Sequence, residues 1–229
     1  MTNSAKPRAR AADKRRRLTA AAARVLHEQG VERTTLGDIA RAADVPVGNV
    51  YYYFKTKDEL VQAALSEHNA HLDELTGRLG QLSDPRDRLK GLIEAWVSQR
   101  DVAARYGCPT GTLAVELDKR ADGTLDVQAG AAIRRLLDWT GHQFRLLGLP
   151  NPDDLAVTLV AAYQGMSLLA NALRDPEIMT REGTRLLRWL DSVTAGEQAP
   201  DPTGEAPAPS QPDGAAAPAA PRGVRRPQR

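Results

Sequence analysis

Between residues 13 and 195, apolar side chains recur with the 3.6-residue period of an α-helix, and no run alternates with a period of two long enough to build a sheet. A chain patterned this way can bury its apolar faces only by packing helix on helix. The expected fold is all-α, with about nine helices. Residues 13–60 should form a unit of short helices and 61–195 a larger helical domain.

The first unit is punctuated closely enough to read turn by turn. Leu18, Ala22, Val25 and Leu26 fall at i, i+4, i+7 and i+8 on one face of a first helix, and Gly30 stands where a left-handed residue closes it. Thr35 with Asp38 three residues on is a capping-box start for a short second helix whose inner side carries Leu36, Ile39, Ala40 and Ala43. A turn at Ala43-Asp44-Val45 leads to Pro46, suited to the first turn of a third helix because its missing N–H would find no partner there. Thr56 and Glu59 open a fourth, longer helix. Beyond Gly80, turn residues divide the chain into helices expected near 84–105, 110–120, 124–147, 152–174 and 177–194.

Three short helices with a tight turn between the second and third form a helix-turn-helix, whose third helix enters the major groove of DNA. Val45, Val50 and Phe54 would hold helix three against helix two, leaving Val47, Gly48, Asn49, Tyr51, Tyr52 and Tyr53 around the remaining surface. Gly48 lets a phosphate approach the backbone, and Asn49 can read a base edge. Tyr51 and Tyr52 offer hydroxyls to phosphates, and Val47 can pack on a thymine methyl. Lys55 and Lys57 add positive charge at the helix end. Three consecutive tyrosines cannot share one buried helix face, so some must meet solvent or a partner.

Charge points the same way. Residues 1–60 carry 12 Lys and Arg against 7 Asp and Glu, while the whole chain is only +2, so the positive excess sits at one end. Residues 1–12 are expected to form a disordered basic arm, and 196–229, rich in Pro, Ala and Gly, a disordered tail. The single cysteine, Cys108, excludes a disulfide framework within the chain and a multi-cysteine zinc site. No stretch approaches about 18 consecutive apolar residues and no signal segment opens the chain, so a cytoplasmic protein with no membrane partner is expected.

Residues 34–60, TTLGDIARAADVPVGNVYYYFKTKDEL, closely resemble the DNA-binding segment of the TetR family, including Gly48, Tyr51, the pair Tyr53-Phe54 and the run Lys55-Thr56-Lys57. The resemblance implies DNA-contacting roles for Thr35, Gly48, Asn49, Tyr51, Tyr52 and Lys57 and a buried one for Phe54. With Thr34, Val47 and Lys55 these make the candidate DNA-binding set. Two positions depart from the family's habit: Asp44 where Gly is usual in the turn, and Pro46 where a capping Ser or Thr is frequent. Residues 106–118 are similar to a segment of a multidrug-responsive subgroup.

For the second domain the resemblance implies a small-molecule cavity among the middle helices and a homodimer formed by the last two helices. Ile178, Leu186, Leu187, Trp189, Leu190 and Val193 suit that pairing. Polar or aromatic residues on otherwise apolar helices give the candidate ligand set: Trp96, Tyr106, Trp139, Gln143, Tyr163 and Gln164. Other chemistries are poorly supported. His68 and His71 beside Glu67 lack a third metal ligand, and His27 and His142 lack a nucleophile or acid partner, so neither enzyme, metal site nor cofactor is expected.

The resemblance implies a one-component regulator, a repressor released from a roughly palindromic double-stranded operator by a small-molecule effector. The alternatives are a helical small-molecule-binding or protein-interaction module without specific operator binding, and a non-specific DNA-coating protein.

Overall fold

The structure, a computed structural model, describes residues 5–119 and 124–196. Among these residues there are ten helices and no strand: α1 (Ala5–Gln29), α2 (Leu36–Ala42), α3 (Val47–Tyr53), α4 (Lys57–Leu79), α5 (Pro85–Ser98), α6 (Arg100–Tyr106), α7 (Pro109–Asp118), α8 (Leu125–Leu146), α9 (Pro152–Leu173) and α10 (Glu177–Thr194). The all-α expectation holds, and its turn chemistry is seen in detail. Gly30 takes a left-handed φ of +81° at the end of α1. Asp84 caps α5 by accepting from Arg86 N–H at 2.8 Å, and Pro85, Pro109 and Pro152 each stand at a helix start.

Two expectations need correction. The segment 84–105 is not one helix: the N–H of Gln99 closes on the Trp96 carbonyl at 3.1 Å, and a second helix restarts at Arg100. A one-residue break leaves the apolar period intact, with Trp96, Ala103 and Ala104 all buried, so the pattern could not reveal it. The basic arm assigned to residues 1–12 is also helical from Ala5, because Ala, Lys and Arg cost little in a helix and Pro7 falls in the first turn. Residues 1–4 and the tail from residue 197 lie outside the described residues.

The helices enclose two apolar cores. The first joins α1–α4 through Leu18, Val25, Ile39, Val50, Phe54 and Leu65, and it also receives Leu113 and Leu117 from α7 and Leu125 from α8. The second gathers α5, α6 and α8–α10 around Leu92, Ile93, Phe144, Leu159 and Leu186. α4 belongs to both: Leu60, Val61, Ala64 and Leu65 lie in the first core, and Leu72, Leu75 and Leu79 pack on the second. The division after residue 60 therefore falls inside a continuous 23-residue helix.

α9 is the one described helix long and apolar enough to cross a membrane by length and composition, with a window mean hydropathy of 1.4. It opens on Asp153 and Asp154 and packs against α6, α8 and α10 on one side. On the other, Val157, Ala161, Leu168 and Ala172 form an exposed stripe at i, i+4, i+11 and i+15, joined by Leu169 and Leu173. α10 differs from expectation. Ile178, Leu186, Trp189 and Leu190 are buried within the chain's own second core, and Leu187 and Val193 pack partly against it. Four of the six side chains are thus spent inside the protomer, leaving only the margins of Leu187 and Val193 for pairing.

His68 of α4 is largely buried beside Ala23 and His27 of α1, and its Nε2 has no hydrogen-bond partner. Burial, then the neighbouring His27 and His71, lowers its pKa to about 4, with the Ala23 backbone opposing weakly. In the unfolded chain the ring protonates at its ordinary value of 6.5, so between about pH 6.5 and 4 only the unfolded state takes the proton. The contribution is present above that window and is lost as pH falls through it, by about 2–3 kcal/mol. Denaturant titrations from pH 7.5 to 4.5 should show wild type losing that much more stability than His68→Gln; parallel curves would refute the assignment.

Candidate nucleic-acid interface

The recognition surface is assembled by caps and a turn, not by α3 itself, which at seven residues is too short to be stable alone. Thr35 caps α2: its Oγ1 accepts from Asp38 N–H at 3.2 Å, while Asp38 Oδ2 accepts from Thr35 N–H at 3.0 Å and from the Thr35 hydroxyl at 2.5 Å. Those bonds, with Arg41 adding less, hold the Asp38 carboxyl below the usual carboxylate range. α2 ends in a reciprocal pair of backbone bonds, Asp44 N–H to Arg41 O at 3.1 Å and Val45 N–H to Ala40 O at 3.0 Å. This closure requires a left-handed residue at position 44, and Asp44 supplies it with φ +49°. Arg17 of α1 steadies the strained residue by donating to its carbonyl at 2.9 Å and its Oδ2 at 3.0 Å.

α3 follows from Pro46, which makes no side-chain cap, and Asn49 N–H returns to the Pro46 carbonyl at 2.8 Å. Val45, Val50 and Phe54 point inward as expected. Val47, Gly48, Tyr51 and Tyr52 face solvent, Tyr52 at 74% exposure, and Asn49 is half-buried beside them. Tyr53 packs on the first core with Tyr52 edge-on to it at 5.0 Å. A Cβ added at Gly48 would meet nothing within 4 Å, so the fold itself imposes no glycine there. Thr56 caps α4 by accepting from Glu59 N–H at 3.1 Å, but Glu59 reaches back to Lys55 N–H at 2.7 Å, one residue before the position a full capping box would use.

Three of the candidate DNA-binding residues behave differently from the rest. Thr34 is buried at 1% exposure and donates its hydroxyl to the Gly30 carbonyl at 2.7 Å, so it is removed from the contact set. Its place beside Thr35 hid this in the sequence, since only packing against the end of α1 distinguishes the two. Lys57 is half-buried, with Nζ on the Glu32 carbonyl at 3.3 Å, and Lys55 Nζ caps the Tyr51 carbonyl at 2.9 Å while remaining exposed.

The candidate ligand residues fall into separate groups, with Trp96, Tyr163 and Gln164 together beside Cys108. Trp96 and Tyr163 stack on each other at 4.2 Å and 13°. Burial, then Cys108, pushes the Tyr163 phenol well above its usual pKa, and Gln164 Nε2 donates to Cys108 Sγ at 3.6 Å. Gln143 is buried elsewhere, accepting from Arg88 at 3.1 Å and donating to the Trp139 carbonyl at 3.3 Å, with Trp139 half-buried. Tyr106 alone of the six lines a cleft of about 200 Å³ between α1 and α6–α7, where it meets His27 edge-on at 5.8 Å.

That cleft marks a junction that sequence reasoning missed. His27 Nε2 donates to the Gly107 carbonyl at 2.9 Å, and Glu116 of α7 accepts from Val31 N–H at 2.5 Å. A Cβ at Gly30 would crowd the Glu116 carboxylate, so glycine serves both the left-handed turn and this close approach. Burial lowers the His27 pKa, which favours the neutral ring with its proton on Nε2. No spacing rule connects Val31 to a residue 85 positions away.

A sequence profile of bacterial regulatory proteins of the tetR family matches residues 18–64, which is α1 from its first core leucine to the beginning of α4. The helix-turn-helix transcriptional regulator BetI of Burkholderia cenocepacia is 32% identical over 188 residues, covering 80% of this chain and 95% of that one. The chain belongs to the TetR family. The regulator TtgR of Pseudomonas putida is 39% identical over 82 residues, covering 36% of this chain and 37% of its own length. A solved TetR-family regulator from Streptomyces coelicolor has the same fold, with a TM-score of 0.68 at 19% identity, covering 81% of this chain and 96% of that one. Membership makes this TetR-family chain a DNA-binding transcriptional regulator and not an enzyme.

Asp44 offers a direct check on the turn. A non-glycine residue in this conformation costs roughly 1 kcal/mol, and the exposed Arg17 ion pair offsets little of it. Asp44→Gly should therefore raise the melting temperature by about 2–4 °C; a lower melting temperature would mean that the Arg17 bonds to the side chain outweigh the strain.

Proposed function

We propose that this regulator is a homodimeric repressor that holds a roughly palindromic operator through α3 of each protomer and is released by a small molecule bound in the C-terminal domain. The observation carrying the DNA-contact assignment is the exposed, chemically mixed face of Val47, Gly48, Asn49, Tyr51 and Tyr52, built on a rigidly closed turn. Thr35 and Lys55 flank it at the surface, and Lys57 adds charge at the α4 start. Such a regulator works where the chromosome is, in the bacterial cytoplasm.

Gly48 separates a structural from a functional requirement. Since a Cβ there is unopposed and Ala is the better helix former by about 1 kcal/mol, Gly48→Ala should fold at least as stably as wild type. Against an operator selected by the full chain from a random duplex pool, it should bind at least tenfold more weakly, as should Tyr52→Ala. Failure of the pool to yield a sequence with two half-sites about one turn apart, or a multiple of it, would overturn the operator reading.

The dimer is assigned to the exposed stripe of α9, with α10 contributing through its margins. Val157, Leu168, Leu169 and Leu173 form a contiguous apolar surface whose burial against a second copy is worth about 1.5–3 kcal/mol per side chain. Leu168→Glu places two like charges in a two-fold interface, and light scattering should then report monomers that still show the helical spectrum. A dimer of unchanged size would move the interface elsewhere.

Effector coupling is assigned to α4, which follows α3 directly and packs lengthwise on both cores, and to the Glu116 and His27 contacts at the foot of α1. An effector that displaces α6–α7 would pull on both and change the separation of the two α3 helices, a coupling of about 1–3 kcal/mol. Tyr106 and the cleft beside it, together with the Trp96–Tyr163–Gln164 group, are the sites offered to that effector.

A further inference from the structure

α1 is 25 residues long, yet its first core residue is Leu18, which is also where the family profile begins. The helical residues before it, 5–17, extend for about 20 Å, the length of roughly six base pairs, and none of residues 9–17 joins a core. Over residues 9–17 the helix carries Arg10, Lys14, Arg15, Arg16 and Arg17 against the single acid Asp13.

The root of this extension is fixed beside the recognition helix at both of its ends. Arg17 binds Asp44 in the turn before α3, and the Arg15 guanidinium lies over the ring of Phe54, the residue that closes α3, at 5.4 Å. Arg10, Lys14 and Arg17 follow at i, i+4 and i+7, so the face that meets the turn at Arg17 continues outward as a basic stripe. Asp13 pairs with Arg16, whereas Arg10 and Lys14 have no acidic partner among the described residues. Asp13 stands at i+3 from Arg10 but pairs with Arg16, so one acid, already engaged, is all that faces a stripe of three bases.

We infer that the α1 extension is a phosphate clamp: it lies along the backbone of the operator flanking the α3 contact and lengthens the protein's footprint without reading bases. The inference rests on the operator reading above and deepens it. Its chemistry is charge complementarity alone, because phosphate contacts by Lys and Arg carry affinity and salt dependence but no sequence preference.

The test compares wild type, Arg10→Gln/Lys14→Gln, Arg10→Lys/Lys14→Arg and Tyr52→Ala on one selected operator, as a long duplex and as a duplex trimmed to the α3 half-sites. On the long duplex, the Gln variant should bind at least tenfold more weakly at low salt. Its log-log salt slope should fall by about 0.9 for each phosphate that is no longer neutralised, close to two per protomer. The charge-preserving variant should restore both, and on the trimmed duplex wild type and the Gln variant should be equal. An unchanged slope for the Gln variant, with Tyr52→Ala still impaired, overturns the clamp and leaves the operator reading intact. If Tyr52→Ala also binds like wild type, the operator reading itself falls and the clamp with it. Circular dichroism of each variant verifies that the helix persists.

Discussion

The burial of one apolar stripe of α1 organises the molecule. Leu18, Ala22, Val25 and Leu26 are almost fully enclosed; the second and fourth helices pack against that stripe, and the third packs on the second. A unit of roughly 45 residues buries too little surface to be secure alone. The deficit is made up from outside, by Leu113 and Leu117 of α7 and Leu125 of α8, which enter the same core. The N-terminal unit is therefore completed by side chains of the C-terminal domain, and the two cannot move wholly independently.

That shared core gives the regulatory reading its physical basis. A helix bound into two cores transmits displacement because packed interiors do not stretch. The Glu116 carboxylate on Val31 N–H and the His27 bond to Gly107 O act at the opposite end of the unit from the turn at Asp44, so α1 is gripped at its foot by α6–α7 and at its middle by the recognition hairpin. The same helix then continues outward as the basic extension. One rigid rod thus spans the domain junction, the recognition hairpin and the flank proposed for the duplex.

Much of this was legible in the residue order because it is governed by local rules. The Thr35–Asp38 box, the left-handed Gly30 and Asp44, the prolines at helix starts and the inward set Val45, Val50 and Phe54 all depend on contacts a few residues apart. The exposed face of α3 follows from them by exclusion. Thr34 shows the boundary of such reasoning: its neighbour Thr35 caps a helix in the open, whereas Thr34 is covered by the end of α1, a contact that depends on the angle between two helices.

What the sequence by itself determined was helix, turn and cap, since each is settled by backbone geometry and side chains within about one helical turn. Only the tertiary structure decided that α10 spends its apolar face inside the protomer and that α9 keeps one outside. It alone separated the tryptophans and glutamines of the middle helices into distinct groups, and it alone brought Glu116 to Val31. An amphipathic helix specifies that a face must be covered but not by what. The choice of cover is made by the packing of all ten described helices at once.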